Sequence, residues 1–327
     1  MPSARRNDTS ACSGRAPHRS LVPHDRKTMA ALRLHAATND DSTLTALTSN
    51  VRLRPFCASD LEAAQALSAG VNWPHRVEDW QFAFAHGTGV VAERDGSVVG
   101  TALRWLWGTD RATLGLVIVS PALQGHGIGR RLMTALLQDS GRRNVLLHAT
   151  AEGEPLYERL GFRSIGSIRQ HQGISAKTAR PALAEGERLR PVDRHDADVL
   201  ATLDVKAAGL PRPSLLRRLL NEEEVVVFDR DGEAVGFSVL RRFGRGHAIG
   251  PVVAPDMASA RALIAHWCHL YAGNFLRIDV DAESGLPEWL ESLGLQHAGR
   301  VTAMVRGRLP PRGPACGGWA LITQAMG

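Results

Sequence analysis

The segment Gln124-Gly125-His126-Gly127-Ile128-Gly129-Arg130-Arg131 holds the residues best suited to chemistry in this sequence. It follows an apolar run over residues 114–119 that reads as a buried strand. It leads into residues 130–138, where Leu132, Leu136 and Leu137 fall on one side of a helix. Glycines at 125, 127 and 129 let backbone N–H groups approach an anion without side-chain obstruction. The helix start adds unpaired N–H donors and a partial positive charge, so a diphosphate suits the cradle. Arg130 and Arg131 oppose the helix dipole but favour a dianion. A Walker loop needs Gly-Lys-Ser/Thr, which is absent. A dinucleotide fingerprint needs GxGxxG early in a βαβ unit with an acidic residue about 20 positions on, and that does not fit either.

The elements that must position this loop come from an internal repeat. Arg52-Leu53-Arg54-Pro55 recurs 136 residues later (188 − 52) as Arg188-Leu189-Arg190-Pro191. The turn Asp95-Gly96, between Val90-Val91-Ala92-Glu93 and Val98-Val99-Gly100, recurs at the same offset as Asp231-Gly232. Both read as hairpins, because Asp-Gly supplies the positive φ values of a tight turn. Val117-Ile118-Val119-Ser120-Pro121 corresponds to Val252-Val253-Ala254-Pro255, and Glu158-Arg159-Leu160-Gly161-Phe162 to Glu291-Ser292-Leu293-Gly294-Leu295. Each copy therefore reads strand, helix, helix, two hairpin strands, strand, helix, strand, helix, strand. That is an α/β (α+β) unit with a mixed sheet. The expected boundaries are a first domain over 51–175, a linker over 176–186 and a second domain over 187–327. Only the first copy keeps the glycine loop. After Pro255 the second reads Asp256-Met257-Ala258-Ser259-Ala260-Arg261, and Leu290 stands in the place of Tyr157.

The composition fits a globular chain of two domains, with 44% apolar and 22% charged residues among 327. The formal charge of +6 is scattered among acidic residues, so it gives a general attraction for anionic ligands and no stripe for nucleic acid. Cys12, Cys57, Cys268 and Cys316 lie far apart with no Cys/His cluster at metal spacing. No metal is expected, and a reducing cytoplasm fits. No apolar run of about eighteen residues suggests a membrane span. Residues 1–50 hold Arg5, Arg6, Arg15, Arg19 and Arg26 among polar residues with no apolar period. They are expected to be a disordered leader, or a mis-assigned start with Met29 as the genuine one.

Gln124, Gly127 and Gly129 occupy the fixed positions of the pattern Gln/Arg-x-x-Gly-x-Gly/Ala, with Val119-Ser120-Pro121 before it and Pro155-Leu156-Tyr157-Glu158-Arg159-Leu160-Gly161-Phe162 further on. On these motifs the first copy resembles the GNAT superfamily of N-acetyltransferases. The whole chain resembles tandem members with two GNAT-like domains, each a mixed, mostly antiparallel twisted sheet flanked by helices. In these the second, degenerate half braces the first and walls the acceptor cleft. The resemblance implies acetyl-CoA as cosubstrate, held by Gln124, Gly125, His126, Gly127, Ile128, Gly129 and Arg130. The backbone of Val117, Ile118 and Val119 would pair with the pantetheine arm as if with an added strand, and the strand over Asn144–Ala149 would splay away.

The resemblance further implies that Tyr157 protonates the departing thiolate. A base is harder to assign, because residues 112–119 contain no Glu or Asp. His148, Glu152, His75 and Asp79 are the candidates. Trp73, Trp80, Phe82 and Phe84 fall in the segment that covers the acceptor site in this family. The expected partner is a small-molecule amine or a protein amine, with the chain a monomer or homodimer. The competing class is an acyl-CoA-binding sensor without turnover, which the missing base favours.

Overall fold

The repeat read from the sequence is the plan of the molecule. The computed structural model describes residues 50–309, 313 and 316–327; the leader expected over residues 1–50 lies outside the described residues up to position 49. The first half runs β1 (Arg52–Pro55), α1 (Leu61–Gly70), α2 (Val77–Ala85), β2 (Thr88–Arg94), β3 (Ser97–Trp107), β4 (Arg111–Val119), α3 (Ile128–Ser140), β5 (Asn144–Ala149), α4 (Glu154–Arg159) and β6 (Arg163–Ile174). The second runs β7 (Glu187–Pro191), α5 (Ala197–Ala208), α6 (Pro213–Glu222), β8 (Glu224–Arg230), β9 (Glu233–Phe243), β10 (Gly246–Ala254), α7 (Met257–Leu270), β11 (Phe275–Asp281), α8 (Pro287–Ser292) and β12 (Gln296–Arg306), and adds β13 (Gly317–Ala320). Asp95 and Gly96, and again Asp231 and Gly232, have positive φ, as the hairpin reading requires.

The two sheets do not close separately. The thirteen strands of the described residues form one sheet ordered β1-β2-β3-β4-β5-β12-β6-β11-β10-β9-β8-β7, with β13 on β10. Among the described strands β4 with β5 and β10 with β11 pair in parallel, and the other pairs are antiparallel. The last strand of each half has crossed over: β12 lies between β5 and β6, and β6 lies between β12 and β11. One apolar core is shared across the halves, with Trp80, Leu103 and Trp105 of the first packed with Leu200, Leu215 and Phe237 of the second. The second half thus completes the sheet of the first.

Each half opens on the same charged knot. Arg54 bonds both oxygens of Asp60 at 2.8 Å and reaches Glu93 at 2.6 Å. Arg190 bonds Asp196 at 2.7 and 2.8 Å and Asp229 at 2.9 Å. These acids are buried, and hydrogen bonds from Arg54 hold the Asp60 carboxyl down at about 2. A depressed carboxyl adds stability that is present above its unfolded value of 3.8 and is lost as pH falls toward 2. His75, lowered by burial from 6.5 to about 4, is neutral in the fold, so its contribution is lost over that higher interval as pH falls. Thermal unfolding followed by circular dichroism should therefore show a melting temperature that declines below pH 6.5 and drops further below pH 4. A melting temperature constant from pH 7 to pH 3 would contradict these assignments.

Candidate active site

In β4 the sheet opens. Pairing with β5 extends only from Arg111–Asn144 to Leu114–Leu147, and past Leu114 no described strand lies on that side of β4. The opening begins at a bulge: the register against β3 slips between Thr101 and Leu103, and Leu116 adopts φ 52°. A buried leucine in the left-handed region is held there against a strain of about 1–3 kcal/mol. Ile118 and Val119 are paired with β3, and on the other edge Val117, Ile118 and Val119 have no described strand beside them, the Val119 carbonyl alone being met there by the Gln124 side chain.

This edge runs straight into the glycine loop. Gln124 Nε2 donates to the Val119 carbonyl at 3.1 Å, and His126 Nδ1 lies 2.7 Å from the Gln124 carbonyl. Gly125 and Gly127 have φ 82° and 79°, and an added Cβ at either would meet only open space. Gly127 is the N-cap of α3 and supplies no side chain to the helix start. The helix begins at Ile128, two residues earlier than its sequence pattern indicates, because left-handed Gly127 caps it and Ile128 is buried. Gly129 lies against Leu156 and Val119, so loop, strand end and α4 meet there. Arg130 is solvent-exposed at the same end. The free N–H groups and open glycines fit a diphosphate, and the free strand edge fits an extended amide-bearing arm.

The second half serves as an internal comparison. At the matching position in β10, Val252, Val253 and Ala254 are paired with Ala320, Gly318 and Gly317 of β13. The start of α7 is capped by Asp256, whose carboxylate accepts from the Ser259 N–H at 2.8 Å. Both positions that are open in the first half are thus filled by the protein's own groups in the second. A carboxylate already on the helix terminus repels a second anion.

Beside the bulge lies a cavity of about 380 Å³ walled from both halves. Gly115, Leu116, His148 and Thr150 form one side; Trp73, His75, Asp79 and Phe82 come from around α2; Arg241, Phe243, Arg277 and Asp279 come from the second half. Of the candidate bases, three line it. His148 Nδ1 donates to the Gln324 carbonyl at 2.7 Å. Asp79 is committed elsewhere. Its burial alone would raise its pKa, but hydrogen bonds from the Arg76 guanidinium, the Arg76 N–H and the Gly244 N–H outweigh that and hold it below its usual value. The Nδ1 of His75 is sealed from solvent without a partner, and its low pKa makes it a weak base. Glu152 is exposed and lies outside the cavity wall.

Tyr157 stands apart from the bases. It packs in the core of the first half with Ile128, Leu132 and Phe162, the last ring edge-on at 6.1 Å. Burial pushes its hydroxyl up to about 12. Tyr157 is not among the residues lining the cavity, whereas His148 is; the neighbouring Leu156 faces Gly129. Trp80 and Phe82 belong to the shared core, and Trp73 and Phe84 pack against it. Arg241, Phe243 and Arg277 have no place among the candidates read from the sequence. The local signal for Arg241 is the pair Arg241-Arg242 closing the otherwise apolar end of β9; Arg277, in β11, has none.

A splayed sheet with an unpaired strand edge leading into an open helix N-terminus defines a protein of the GNAT class. Residues 66–178 and 200–314 each match an acetyltransferase (GNAT) domain family. The chain belongs to the GNAT acetyltransferases, as a tandem-domain member and an acetyl-transferring enzyme. It is 31% identical over 224 residues to the uncharacterized N-acetyltransferase YitH of Bacillus subtilis (strain 168), a match covering 66% of this chain and 76% of that protein. Among solved structures it resembles a GCN5-related N-acetyltransferase from Sphaerobacter thermophilus, with TM-score 0.60, 18% identity and coverage of 80% and 97% of the two chains. A tandem GNAT protein from the clavulanic acid biosynthesis pathway gives TM-score 0.56 at 15% identity, with coverage of 79% and 99%. At these identities the structural likeness is one of fold. No described helix is long and apolar enough to cross a membrane.

Proposed function

We propose that this enzyme moves the acetyl group of acetyl-CoA to a primary amine by direct attack, with both substrates bound at once. The observation that carries the reading is the strand edge at Val117–Val119, unpaired by any described strand, running into the loop with open Gly125 and Gly127, against the filled equivalent in the second half. We assign residues 51–175 as the catalytic unit, 176–186 as the linker and 187–327 as a brace that cannot bind CoA.

Acetyl-CoA supplies an activated acyl carbon. The edge of Val117, Ile118 and Val119 holds the arm, while the loop N–H groups of residues 125–129 with Arg130 hold the diphosphate. His148, on the cavity wall, is the proposed base that takes a proton from the ammonium of the acceptor and passes it to solvent. As the C–N bond forms and the C–S bond breaks, the second amine proton leaves and the sulfur gains the Tyr157 proton, so the hydroxyl is restored by the proton released from nitrogen. In this reading acid and base lie on opposite sides of the reacting carbon.

Thiol release from acetyl-CoA, followed across a panel of amines, tests the function. Release that depends on one class of amine, with N-acetylated product by mass spectrometry, is the expected result. Tight acetyl-CoA binding with no release above background for every amine would leave a binder and overturn the transfer reading.

A further inference from the structure

Arg241 is a charge in the cavity wall with no carboxylate in direct contact; Asp79, Glu223 and Asp279 act on it from a distance. It sits on β9 with 3% of its surface exposed, its guanidinium stacked over the rings of Phe82 at 5.2 Å and Phe243 at 4.8 Å. One amino group reaches the Ile322 carbonyl at 3.2 Å, and its Nε is buried with no partner. No carboxylate of the described residues lies within 4.0 Å of it, although two acids share the cavity. Those acids are occupied: Asp79 by Arg76 at 2.8 Å and by the Gly244 N–H, and Asp279 by Arg277 at 2.9 Å and by Gln324. Burying a guanidinium without a contacting counterion is costly, and Arg241, with its Nε unpartnered, is placed to receive a group that supplies one.

We propose that the acceptor carries a carboxylate as well as its amine, and that Arg241 holds this carboxylate inside the cavity while the amine faces the bulge at Gly115 and Leu116. This rests on the acyl-transfer reading above. Three further observations shape the ligand. The cavity, at about 380 Å³, is the size of a single small molecule. The rings of Trp73, Phe82 and Phe243 give it apolar walls suited to an amino-acid side chain. The paired acids Asp79 and Asp279 disfavour a dianion such as a phosphate more than a monoanion. An amino acid, or another small amine ending in a carboxylate, meets all three.

The test pairs amino acids with their own carboxamides as acceptors and reads kcat/KM together with acetyl-CoA affinity. The wild-type protein should use the carboxylate form at least tenfold better, on the strength of one charge-assisted contact made in a dry site. Arg241→Met should lose about 10²-fold in kcat/KM for the carboxylate, chiefly through KM, and lose the preference for carboxylate over carboxamide, while its acetyl-CoA affinity stays near wild type. Arg241→Lys, which keeps charge but not the planar fork, should fall between the two. The wild-type comparison needs no variant to fold. Equal use of both forms, or a preference for carboxamides or polyamines, would overturn the carboxylate assignment and leave acyl transfer standing. Acetyl-CoA binding without turnover of any amine would remove the acyl-transfer reading and this proposal with it.

Discussion

Tyr157→Phe should lower turnover by about 10²–10⁴-fold and leave acetyl-CoA affinity nearly unchanged. The phenylalanine keeps the ring against Phe162 and the contact with the Gly153 backbone, so only one oxygen is lost. That oxygen is set up to hold a proton. Burial pushes its pKa up to about 12, so the hydroxyl stays protonated through the range in which the protein folds. A phenol this weak gives its proton to a thiolate only if the thiolate is also poorly solvated, and the apolar surroundings that raise one raise the other. The corresponding Leu290 of the second half is fully buried and can offer packing alone. Leu290→Ala should therefore cost about 2–5 kcal/mol of stability with little change in the rate of the chemical step of the folded fraction. Stopped-flow or single-turnover measurements separate chemistry from release. Full activity in Tyr157→Phe, with chemistry rate-limiting, would mean that water or another side chain protonates the sulfur.

Gly127→Val should weaken acetyl-CoA binding by on the order of 10²-fold or more, since it disturbs several charge-assisted N–H contacts at once. Two effects combine. The φ of 79° is unfavourable for a β-branched residue, and the new side chain would project into the open space of the cradle. Strain by itself is separable from blockage through the other end of the same helix. Gly141 caps α3 at φ 62°, also with open space about its missing Cβ, and lies far along the helix from the loop. Gly141→Ala should lose a comparable amount of stability and keep its acetyl-CoA affinity, as read by competition against a fluorescent CoA analogue.

The parts of this account that were legible in the sequence are those with local signatures. Two Asp-Gly turns at one offset fixed the hairpins, and three alternating glycines between an apolar run and an amphipathic stretch marked the loop. Pairing between distant strands has no such signature. The alternation in β6 and β12 tells which face each buries but not that each has crossed into the other half, so a single continuous sheet was not foreseen. The cavity was hidden for the same reason. Arg241, Arg277 and the segment Leu321–Met326 reach it from residues more than a hundred positions away from β4, through a shared core and not through any motif. The closure of the second site by β13 was partly visible as a missing glycine loop, while the strand that fills its edge lies beyond the repeat.

The central claim is that one half binds the acyl donor and the other has its equivalent site filled from within. Calorimetric titration of acetyl-CoA into the wild-type protein tests this through stoichiometry. The account predicts one acetyl-CoA per chain, with that single site abolished in folded Gly127→Val. Two acetyl-CoA per chain, or one that survives in folded Gly127→Val with unchanged affinity, would contradict it.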